Sequence, residues 1–600
     1  MSYETTVPDD AELKPIETGR SLLEGWRETQ PDNFFVADRN LHRLLTFYWG
    51  EEQYRERLPR LYRFGAVSAT VVDRAARISN EDENLPRLDR YNGIGERIEA
   101  IDFHPAHHEA GRAIYGSGVM GVHEAPGNNL LSLALFYLSA LNGEAGHNCP
   151  LAMTAGLIRV LQAVGSPQLK RDYLPGLLNP DYDENYTGAQ FLTEVQGGSD
   201  VGANATTATP LDPGAEGTWL LNGEKWFCSN VTADLALVTA RVPSQGEGTE
   251  GLGLFLMPRV LPDGSLNSYY IRRLKDKLGT RSMATGEVEF RNALAYQVGD
   301  VGQGFRNVMI YVINTSRIFN GVGCAANARR AYMDAWRYAT YRRAFDRPII
   351  HFPLVQDLLV KMRSDATAIL SGSLRIVHTL DEIETGQKDD AATGAFLRMA
   401  LNLNKVRSAI LAHDVVNQGI EVFGGNGTIA DFSVLPRLLR DNVVYENWEG
   451  THNVLLAQVQ RDMRRYNVHE PFLALVQEML EPLPFNRVKR EGLAALDEIR
   501  EQLDALLQMD PLSASIPFRP LMMRLADLYY LACMGVEAAW ENYTHRDRSK
   551  QRLAEFFLDR RVMGRSPIDI PNYLEQVGRL AADIRPTKIE KLRDEDEDEA

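Results

Sequence analysis

Glu449 lies in a segment whose residue types suit proton transfer. The segment NWEGTHN, residues 447–453, places this carboxylate just before Gly-Thr at the start of a predicted helix. The amino end of a helix favours a ligand anion, and glycine permits close approach. A carboxylate at this point could act as a general base, or it could be a solvated acid that only stabilises the first helical turn. Both interpretations stay open on these seven residues.

A second segment, FLTEVQGGSDVGANAT at 191–206, combines a glycine pair with hydroxyl groups after a predicted strand. Gly197 and Gly198 would let the backbone approach a bulky ligand. Thr193 and Ser199 add hydroxyls for a phosphate or a heterocyclic edge. An ordinary turn is the commoner meaning of such a pair, and the segment lacks the GxGxxG pattern of a Rossmann dinucleotide site.

A third segment, LNGEKWFCSN at 221–230, contains an Asn-Gly pair that predicts a two-residue hairpin turn. The strand after it carries Trp226, Phe227 and Ser229. This strand could present an aromatic ring and a hydroxyl to a ligand, or it could be an ordinary half-buried strand.

The elements that position these segments follow from the apolar spacing. Residues 39–178 have mostly helical spacing, and the apolar run Leu130–Leu141 predicts a buried helix because it is too short to span a membrane. Short β-rich runs between residues 186 and 290 predict a compact β domain. A helical stripe then begins at Phe305, and further long helices are predicted over about 353–383 and 395–423.

Composition excludes several classes of protein. The 600 residues carry 65 Lys and Arg against 81 Asp and Glu, a net charge of -16 that opposes bulk attraction to nucleic acid or anionic membranes. The four cysteines show no CxxC spacing, so neither a disulfide framework nor a zinc site is expected, and no metal is predicted. The first residues lack a secretory signal pattern. We therefore expect a cytoplasmic protein without a membrane span.

Seven motifs in order decide between the open interpretations. FLTEVQGGSD, WFCSN, KLGTRSMATGEVEF, GQGF, YRRAFDRPI, EVFGGNG and WEGT resemble the signatures of the acyl-CoA dehydrogenase family over residues 100–465. TEVQGGSDV, RLKDKLGTRS and WEGT, with an extra C-terminal region, resemble its AidB-like branch.

The implied fold is mainly α with a central β domain: an N-terminal helical domain, a β-barrel-like middle domain, a C-terminal four-helix bundle and an additional C-terminal helical domain. The expected boundaries are 1–38 for an N-terminal extension, then 39–184, 185–300, 301–470 and 471–593 for these domains, and 594–600 for an acidic tail.

The resemblance implies an FAD-dependent dehydrogenase that desaturates an acyl-CoA between Cα and Cβ. Glu449 matches the base that removes the α-proton, while Ser199 and Arg317 are assigned to the substrate side. The matching cofactor-binding positions are Phe191, Leu192, Thr193, Gly198, Ser199, Phe227, Ser229, Arg342, Phe345, Gly424, Gly425, Trp448, Thr451 and Asn453.

The family also implies an oligomer, a dimer or a tetramer. Arg342, Phe345 and the Gly424–Gly425 turn match positions that reach the FAD of a neighbouring subunit. Glu421 and Pro353 stand where family members often carry Gln, so the contacts on the adenine side are less well matched. The expected electron acceptor is an electron-transfer flavoprotein or a similar partner.

Alternatives exist for both the base and the function. Some family members carry the base on an earlier helix, but Ser316 stands there, followed by Arg317, and Glu446 is the nearby rival acid. One alternative function is an AidB-like flavoprotein with weak dehydrogenase activity and a nucleic-acid-associated or protective role. The basic clusters 487–490 and 545–552 are interspersed with acids, however, and more closely resemble solvated helix faces. A flavin oxidase or monooxygenase on the same scaffold is a third possibility.

Overall fold

The computed structural model of the protein describes residues 10–212 and 217–582, with side chains from residue 17 onward. The N-terminal region is helical, as the apolar spacing predicts. Its helices span Asp10–Glu28, Phe34–Ala37, Arg39–Val67, Asp73–Ser79, Pro105–Tyr115, Asn129–Ala140, Ala145–Val164 and Pro167–Leu178, with a π-helical turn at Ser68–Val72 and a small antiparallel pair of strands, Arg87–Tyr91 and Arg97–Asp102. Local sequence sets several helix starts. The Asp38 carboxylate accepts hydrogen bonds from the backbone N–H groups of Asn40 and Leu41, which caps the helix that follows.

Asn129–Ala140 is the predicted buried helix, and the structure confirms it. All twelve of its residues are buried. Across residues 10–212 and 217–582, none of the helices combines the length and apolarity needed to cross a membrane. The apolar surface of Asn129–Ala140 is therefore explained by packing inside the protein, because a fully buried helix is expected to be apolar on all sides.

The middle domain is a seven-stranded sheet. Its strands span Gly188–Phe191, Thr207–Pro210, Thr218–Ser229, Leu235–Arg241, Leu252–Pro258, Tyr269–Leu274 and Thr285–Gln297. Leu235–Arg241 pairs with Gly188–Phe191 and Thr207–Pro210 in parallel, and with Leu252–Pro258 in antiparallel orientation. This last pairing joins the two ends of the sheet, which gives it a barrel-like form with its own core of apolar side chains.

The hairpin predicted at Asn222-Gly223 is wrong. Thr218–Ser229 is one continuous strand that runs past this pair, and its pairing with Thr285–Gln297 shifts register between Leu221 and Asn222. Gly223 adopts φ +141°, and a Cβ there would collide with Thr206. The β-bulge at this point belongs to the partner strand, where Asn292, at φ +57°, is the extra residue between the pairs Leu221–Ala293 and Asn222–Arg291.

The bundle follows the sheet. Its helical segments span Gly304–Asn307, Asn314–Tyr341, Pro353–Glu384, Ala391–Phe423, Leu435–Asn447 and His452–Tyr466, and Val308–Ile313 forms a π-helical turn within the predicted stripe. Pro353 occupies the first turn of its helix, as predicted, where the missing N–H costs no hydrogen bond. A short hairpin of strands Arg343–Ala344 and Arg347–Pro348 connects two of these helices.

The additional C-terminal domain packs directly on the bundle. Its helices span His469–Leu480, Asn486–Gln508, Pro511–His545, Ser549–Phe557 and Tyr573–Ala582, with a π-helical turn at Leu558–Val562. Arg407 of the bundle forms a buried two-bond ion pair with Asp527, with N–O distances of 2.7 and 2.6 Å. The Tyr529 hydroxyl donates to the Gly372 carbonyl at 2.9 Å. One continuous apolar core links this domain to the bundle and the N-terminal helices.

Candidate active site

Glu449 lies in the turn between helices Leu435–Asn447 and His452–Tyr466. Its backbone adopts φ +56° and Gly450 adopts φ +99°, both in the left-handed region. A left-handed conformation is unfavourable for a residue with a side chain and is usually retained where the surroundings require it. Lys405 holds this turn because its Nζ donates to the carbonyls of Glu446, at 2.9 Å, and Gly450, at 2.8 Å.

Among the described residues, only one oxygen of the Glu449 carboxyl has a hydrogen-bond partner. Gln190, at the end of the first strand of the sheet, donates from Nε2 to Glu449 Oε1 at 2.7 Å. The other oxygen, Oε2, is buried and has no hydrogen-bond partner among the described residues. Arg317 is buried as well, and its Nε donates to the Glu449 carbonyl at 3.1 Å while Nη1 donates to Asn402 at 2.8 Å. One carboxyl oxygen is thus oriented and the other is available for chemistry.

Burial raises the pKa of Glu449 to about 7, and the nearby charges of Arg317 and Lys405 and the hydrogen bond from Gln190 act in the opposite direction. Removing a carboxylate from water disfavours its charged form, which explains the direction. A carboxylate with a pKa near neutrality is a stronger proton acceptor than an ordinary glutamate and is still ionised in a useful fraction of molecules.

Glu446, the rival acid, has the opposite environment. Burial tends to raise the pKa of Glu446, but hydrogen bonds with His413 and His452 outweigh this effect and lower it to about 2. The Glu446 carboxylate accepts from His413 Nδ1 at 2.8 Å. A carboxylate stabilised in this way is a weak base, so the geometry favours Glu449.

An apolar wall made by Cys149, Met153, Met283 and Trp448 lies beside Glu449. Burial raises the pKa of the Cys149 thiol to about 12, with Lys277 and Glu449 acting on it in opposite directions. Cys149 is therefore an apolar wall residue and not a thiolate nucleophile. Such a wall excludes water from the carboxyl, which is the cause of its raised pKa.

The predicted cofactor segment, residues 191–193, follows Gln190 in the chain and is hydrogen-bonded to the neighbouring strand. The Leu192 carbonyl accepts from Lys225 Nζ at 3.1 Å, and the Thr193 carbonyl accepts from the Trp226 N–H at 2.9 Å. Phe191 is buried, whereas Leu192 and Thr193 are half-buried. The segment thus lies directly beside the strand whose aromatic residue was predicted to contact the cofactor.

Glycine is required at the predicted turn that follows. A Cβ on Gly198 would come within 2.6 Å of the Thr193 hydroxyl oxygen. Gly198 and Ser199 are exposed. The neighbouring Glu194 does not face this surface, because it forms a buried ion pair with Lys225 at 2.8 Å and also accepts from the N–H groups of Ala205 and Thr206. This turn therefore offers backbone, a threonine and a serine to a ligand, with the acid turned inward.

Phe227 and Ser229 alternate with buried Cys228 on their strand. The Phe227 ring is 52% exposed, which is unusual for a large aromatic residue in a sheet and leaves its face available for stacking on a planar ligand. The Ser229 and Thr285 hydroxyl oxygens lie 3.2 Å apart. Lys277 donates to Thr285 Oγ1 at 2.9 Å, and its burial lowers its pKa to about 8.

The residues present fit a flavin and a thioester. Glu449 Oε2, Gln190 Oε1 and Trp448 Nε1 are all buried without a partner among the described residues. Buried polar groups are normally hydrogen-bonded, so unpaired atoms gathered at one place suit a ligand that carries its own donors and acceptors. The exposed Phe227 ring and the Gly198 turn add a stacking surface and a site of close backbone approach.

Four predicted cofactor residues lie elsewhere. Arg342, Phe345, Gly424 and Gly425 are exposed at the far end of the bundle, and the Phe345 ring is 88% exposed. Asn426 donates to the Tyr338 hydroxyl at 3.1 Å, which brings the two predicted segments together at this end. Tyr338 and Arg317 are on one helix, about 30 Å apart at 1.5 Å per residue. A single chain therefore does not bring these four residues to Glu449.

Thr451 and Asn453 are exposed at the start of the helix that follows Glu449. Asn453 Oδ1 accepts from Arg519 Nη1, on the C-terminal domain, at 2.7 Å. The sequence reasoning missed Gln190, Lys277 and Lys405, all of which contact the site. Lys277 opens the KLGTRSMATGEVEF motif and Gln190 directly precedes FLTEVQGGSD, so these positions could have indicated both residues, whereas Lys405 lies in none of the seven motifs.

Comparisons with known proteins agree with this arrangement. Residues 27–184 match the adaptive response protein AidB N-terminal domain, residues 189–293 the acyl-CoA dehydrogenase middle domain, and residues 302–464 the acyl-CoA dehydrogenase C-terminal domain. The chain is 31% identical to acyl-CoA dehydrogenase family member 11 of Caenorhabditis elegans, over 79% of this chain and 77% of the relative. It is 32% identical to the putative acyl-CoA dehydrogenase AidB of Escherichia coli K12, over 64% of this chain and 70% of the relative.

The fold comparison extends further along the chain. The crystal structure of Caenorhabditis elegans ACDH-11 in complex with C11-CoA matches with a TM-score of 0.81 and 27% identity, covering 92% of this chain and 94% of that one. The protein thus has the domains of a class of oxidoreductases, the acyl-CoA dehydrogenases. The chain belongs to the acyl-CoA dehydrogenase family, in its AidB-like branch.

Proposed function

We propose that this protein is an FAD-dependent acyl-CoA dehydrogenase that desaturates the Cα–Cβ bond of its thioester, with Glu449 as the base. The observation that carries this proposal is the Glu449 carboxyl itself. It is fixed by Gln190 through Oε1, its Oε2 is buried and unpaired among the described residues, and its pKa is raised to about 7. The acyl-CoA ligand of the Caenorhabditis elegans relative supports the substrate class.

The roles of the residues follow from their chemistry. Glu449 Oε2 accepts the proton from Cα, and the apolar wall at Cys149, Met153 and Trp448 keeps water away from it. FAD, when bound, supplies the acceptor for the hydride that leaves Cβ. Ser199 and Arg317 remain our proposed substrate-side residues, although the described contacts of Arg317 are to the Glu449 turn, Asn402 and Gln458.

Phe227 would stack on the flavin ring, and the segment from Phe191 to Thr193, with Gly198, Ser199 and Ser229, would hold its edge and phosphates. Trp448, Thr451 and Asn453 would complete this side. The positions of Arg342, Phe345, Gly424 and Gly425 support a homo-oligomer, dimer or tetramer, in which these residues serve the cofactor of a neighbouring subunit. The proposed electron acceptor is an electron-transfer flavoprotein or a similar partner.

The test is anaerobic mixing of the FAD-loaded protein with a panel of acyl-CoAs of different chain length while flavin absorbance is followed. We expect bleaching with at least one acyl-CoA. Glu449→Gln should slow bleaching by about 10²–10⁴-fold, the usual contribution of a general base. Glu446→Gln is the matched control and should change the rate little. A loaded protein that no acyl-CoA bleaches would overturn the proposal.

A further inference from the structure

A polar cavity of about 90 Å³ lies between the N-terminal helices, the bundle and the C-terminal domain. Arg39 and Arg43 line it from helix Arg39–Val67, Arg329 and Tyr332 from helix Asn314–Tyr341, and Arg363 from helix Pro353–Glu384. Arg329 is about 18 Å further along its helix than Arg317, which contacts Glu449. This cavity is therefore distinct from the candidate active site.

Only some of the arginines that line this cavity form ion pairs with carboxylates. Arg39 pairs with Asp547 at 2.6 Å, and Arg329 pairs with Asp38 at 3.1 Å. Neither Arg43 nor Arg363 has a carboxylate within 4 Å in the described part of the chain. The Nη1 group of Arg363 donates to the carbonyl of Leu580 at 3.0 Å. Glu541 and Asp547 also line the cavity, but Glu541 pairs with Lys550 and Asp547 with Arg39, so the described carboxylates form no ion pair with Arg43 or Arg363.

Tyr332 contributes an unpaired hydroxyl. The residue is only 4% exposed, and its hydroxyl has no hydrogen-bond partner within residues 10–212 and 217–582. The Arg329 guanidinium lies 5.4 Å from the centre of its ring. Burial raises the pKa of Tyr332, while the positive charges of Arg363, Arg329 and Arg337 act in the opposite direction. The hydroxyl therefore lies within the electrostatic influence of three guanidinium groups and has no hydrogen-bond partner among the described residues.

Two buried arginine N–H groups nearby also lack a hydrogen-bond partner among the described residues. Arg329 Nε and Arg337 Nη1 are buried donors without an acceptor in the described residues. Burial and the charge of Arg39 lower the pKa of Arg43, against the opposite effect of Glu541, Asp547 and Glu51, and burial lowers the pKa of Arg337 despite Asp334. Unpaired buried donors and mutually repelling cations are unfavourable, and a bound anion relieves both.

We propose that this cavity binds a tetrahedral oxyanion of the phosphate class, held by Arg43 and Arg363 with a hydrogen bond from the Tyr332 hydroxyl. Guanidinium groups match phosphate oxygens in charge and geometry. A cavity of about 90 Å³ has room for a free phosphate and is too small to enclose a whole nucleotide or a CoA. Because Ser549 and Lys550 of the C-terminal domain also line the cavity, binding would join this domain to the rest of the protein.

The experiment is isothermal titration of the full-length protein with inorganic phosphate, at constant ionic strength maintained with potassium chloride. We expect saturable binding of phosphate and sulfate, and none of acetate or chloride. Adenosine monophosphate should compete more weakly than phosphate, and competition equal to that of phosphate would overturn the assignment of free phosphate as the ligand. Absence of any saturable heat with phosphate overturns the proposal.

The variants test the assigned contacts. Arg43→Gln and Arg363→Gln should each weaken phosphate binding by about tenfold or more, since each removes a charge-assisted contact. Arg63→Gln, an exposed arginine on the same helix as Arg43, is the matched control and should leave binding unchanged. Equal affinity in all three would show adventitious binding and overturn the assignment.

Tyr332→Phe separates ligand binding from folding. Its hydroxyl has no partner in the described residues, so its loss should leave the thermal unfolding midpoint in chloride unchanged. The increase in that midpoint on adding phosphate should become smaller than in the parent protein. An unchanged increase would remove Tyr332 from the site.

Discussion

Gln190 Nε2 donates to Glu449 Oε1 at 2.7 Å, across 259 residues of sequence. This bond joins the sheet to the bundle at the carboxyl that we propose as the base. Gln190 Nε2 also lies 3.4 Å from Ser316 Oγ, at the position where other family members carry their base. The two alternative positions of the catalytic acid are therefore next to each other in space, and one glutamine contacts both.

We expect the rate of flavin reduction to depend on pH through Glu449. Only the ionised carboxylate accepts a proton, and its pKa is raised to about 7. The rate at limiting acyl-CoA should therefore rise about tenfold per pH unit below about pH 7 and level off above it. Anaerobic stopped-flow measurements between about pH 5 and pH 9 test this, and a flat profile would contradict the assignment.

Replacing Gln190 with Leu should move that profile to higher pH. The hydrogen bond from Gln190 favours the charged carboxylate, so its loss raises the pKa of Glu449 further. A hydrogen bond to a charged group corresponds to a shift of about one pH unit. Ser316→Ala is the control, because it leaves the Gln190–Glu449 bond in place and should barely move the midpoint.

The same carboxyl should make stability depend on pH. Its folded-state pKa of about 7 exceeds the ordinary value of 4.5, so the folded state binds more protons between these values. Its contribution is present below pH 4.5 and is lost as pH rises through about 7. Glu449→Gln, which cannot ionise, should therefore gain up to about 3 kcal/mol relative to the parent protein between about pH 5 and pH 8.

Glu446→Gln provides a control of opposite sign. Its folded-state pKa of about 2 is below the ordinary 4.5, so its ionised form stabilises the fold at neutral pH. This variant should be less stable than the parent protein at neutral pH, and the difference should shrink as pH falls from 4.5 towards 2. Chemical denaturation at a series of pH values measures both variants, and identical pH dependence in the two would refute the distinction.

Lys225→Met should destabilise the middle domain strongly. The Lys225 and Glu194 side chains are 0% and 3% exposed, and their atoms lie 2.8 Å apart. Removing one partner of a buried pair leaves an uncompensated charge, at a cost of about 3–5 kcal/mol. The double variant with Glu194→Gln should recover much of this loss in urea unfolding. A double variant no more stable than Lys225→Met would show that the pair is not the cause.

Gly372→Ala should loosen the C-terminal domain. A Cβ there would collide with the Tyr530 ring of helix Pro511–His545, so the helix must shift at a cost of about 1–3 kcal/mol. Gly394→Ala is the matched control in a bundle helix, where a Cβ meets nothing within 4 Å and alanine should stabilise by up to about 1 kcal/mol. Hydrogen exchange in Pro511–His545 should speed up only in the first variant.

The order of elements was predictable from local patterns. Helical spacing located the long helices that the structure places at Pro353–Glu384 and Ala391–Phe423, and Pro353 marked one of their starts. The Asn222-Gly223 pair misled, because a dipeptide that suits a hairpin turn can also continue a strand opposite a bulge, and only the partner strand decides which forms. Residues 1–9 and 583–600, which include the whole of the predicted acidic tail and part of the extension, lie outside the described residues.

By itself the sequence determined the family, the Glu449 candidate and the residue types of the cofactor segments, because these are carried by local motifs in a fixed order. Tertiary structure alone decided which acid has a base's properties. Glu446 and Glu449 are three positions apart, yet His413 stabilises the charge on one while an apolar wall and Gln190 surround the other. A pKa depends on desolvation and on charges brought from distant parts of the chain, and neither can be read from adjacent residues.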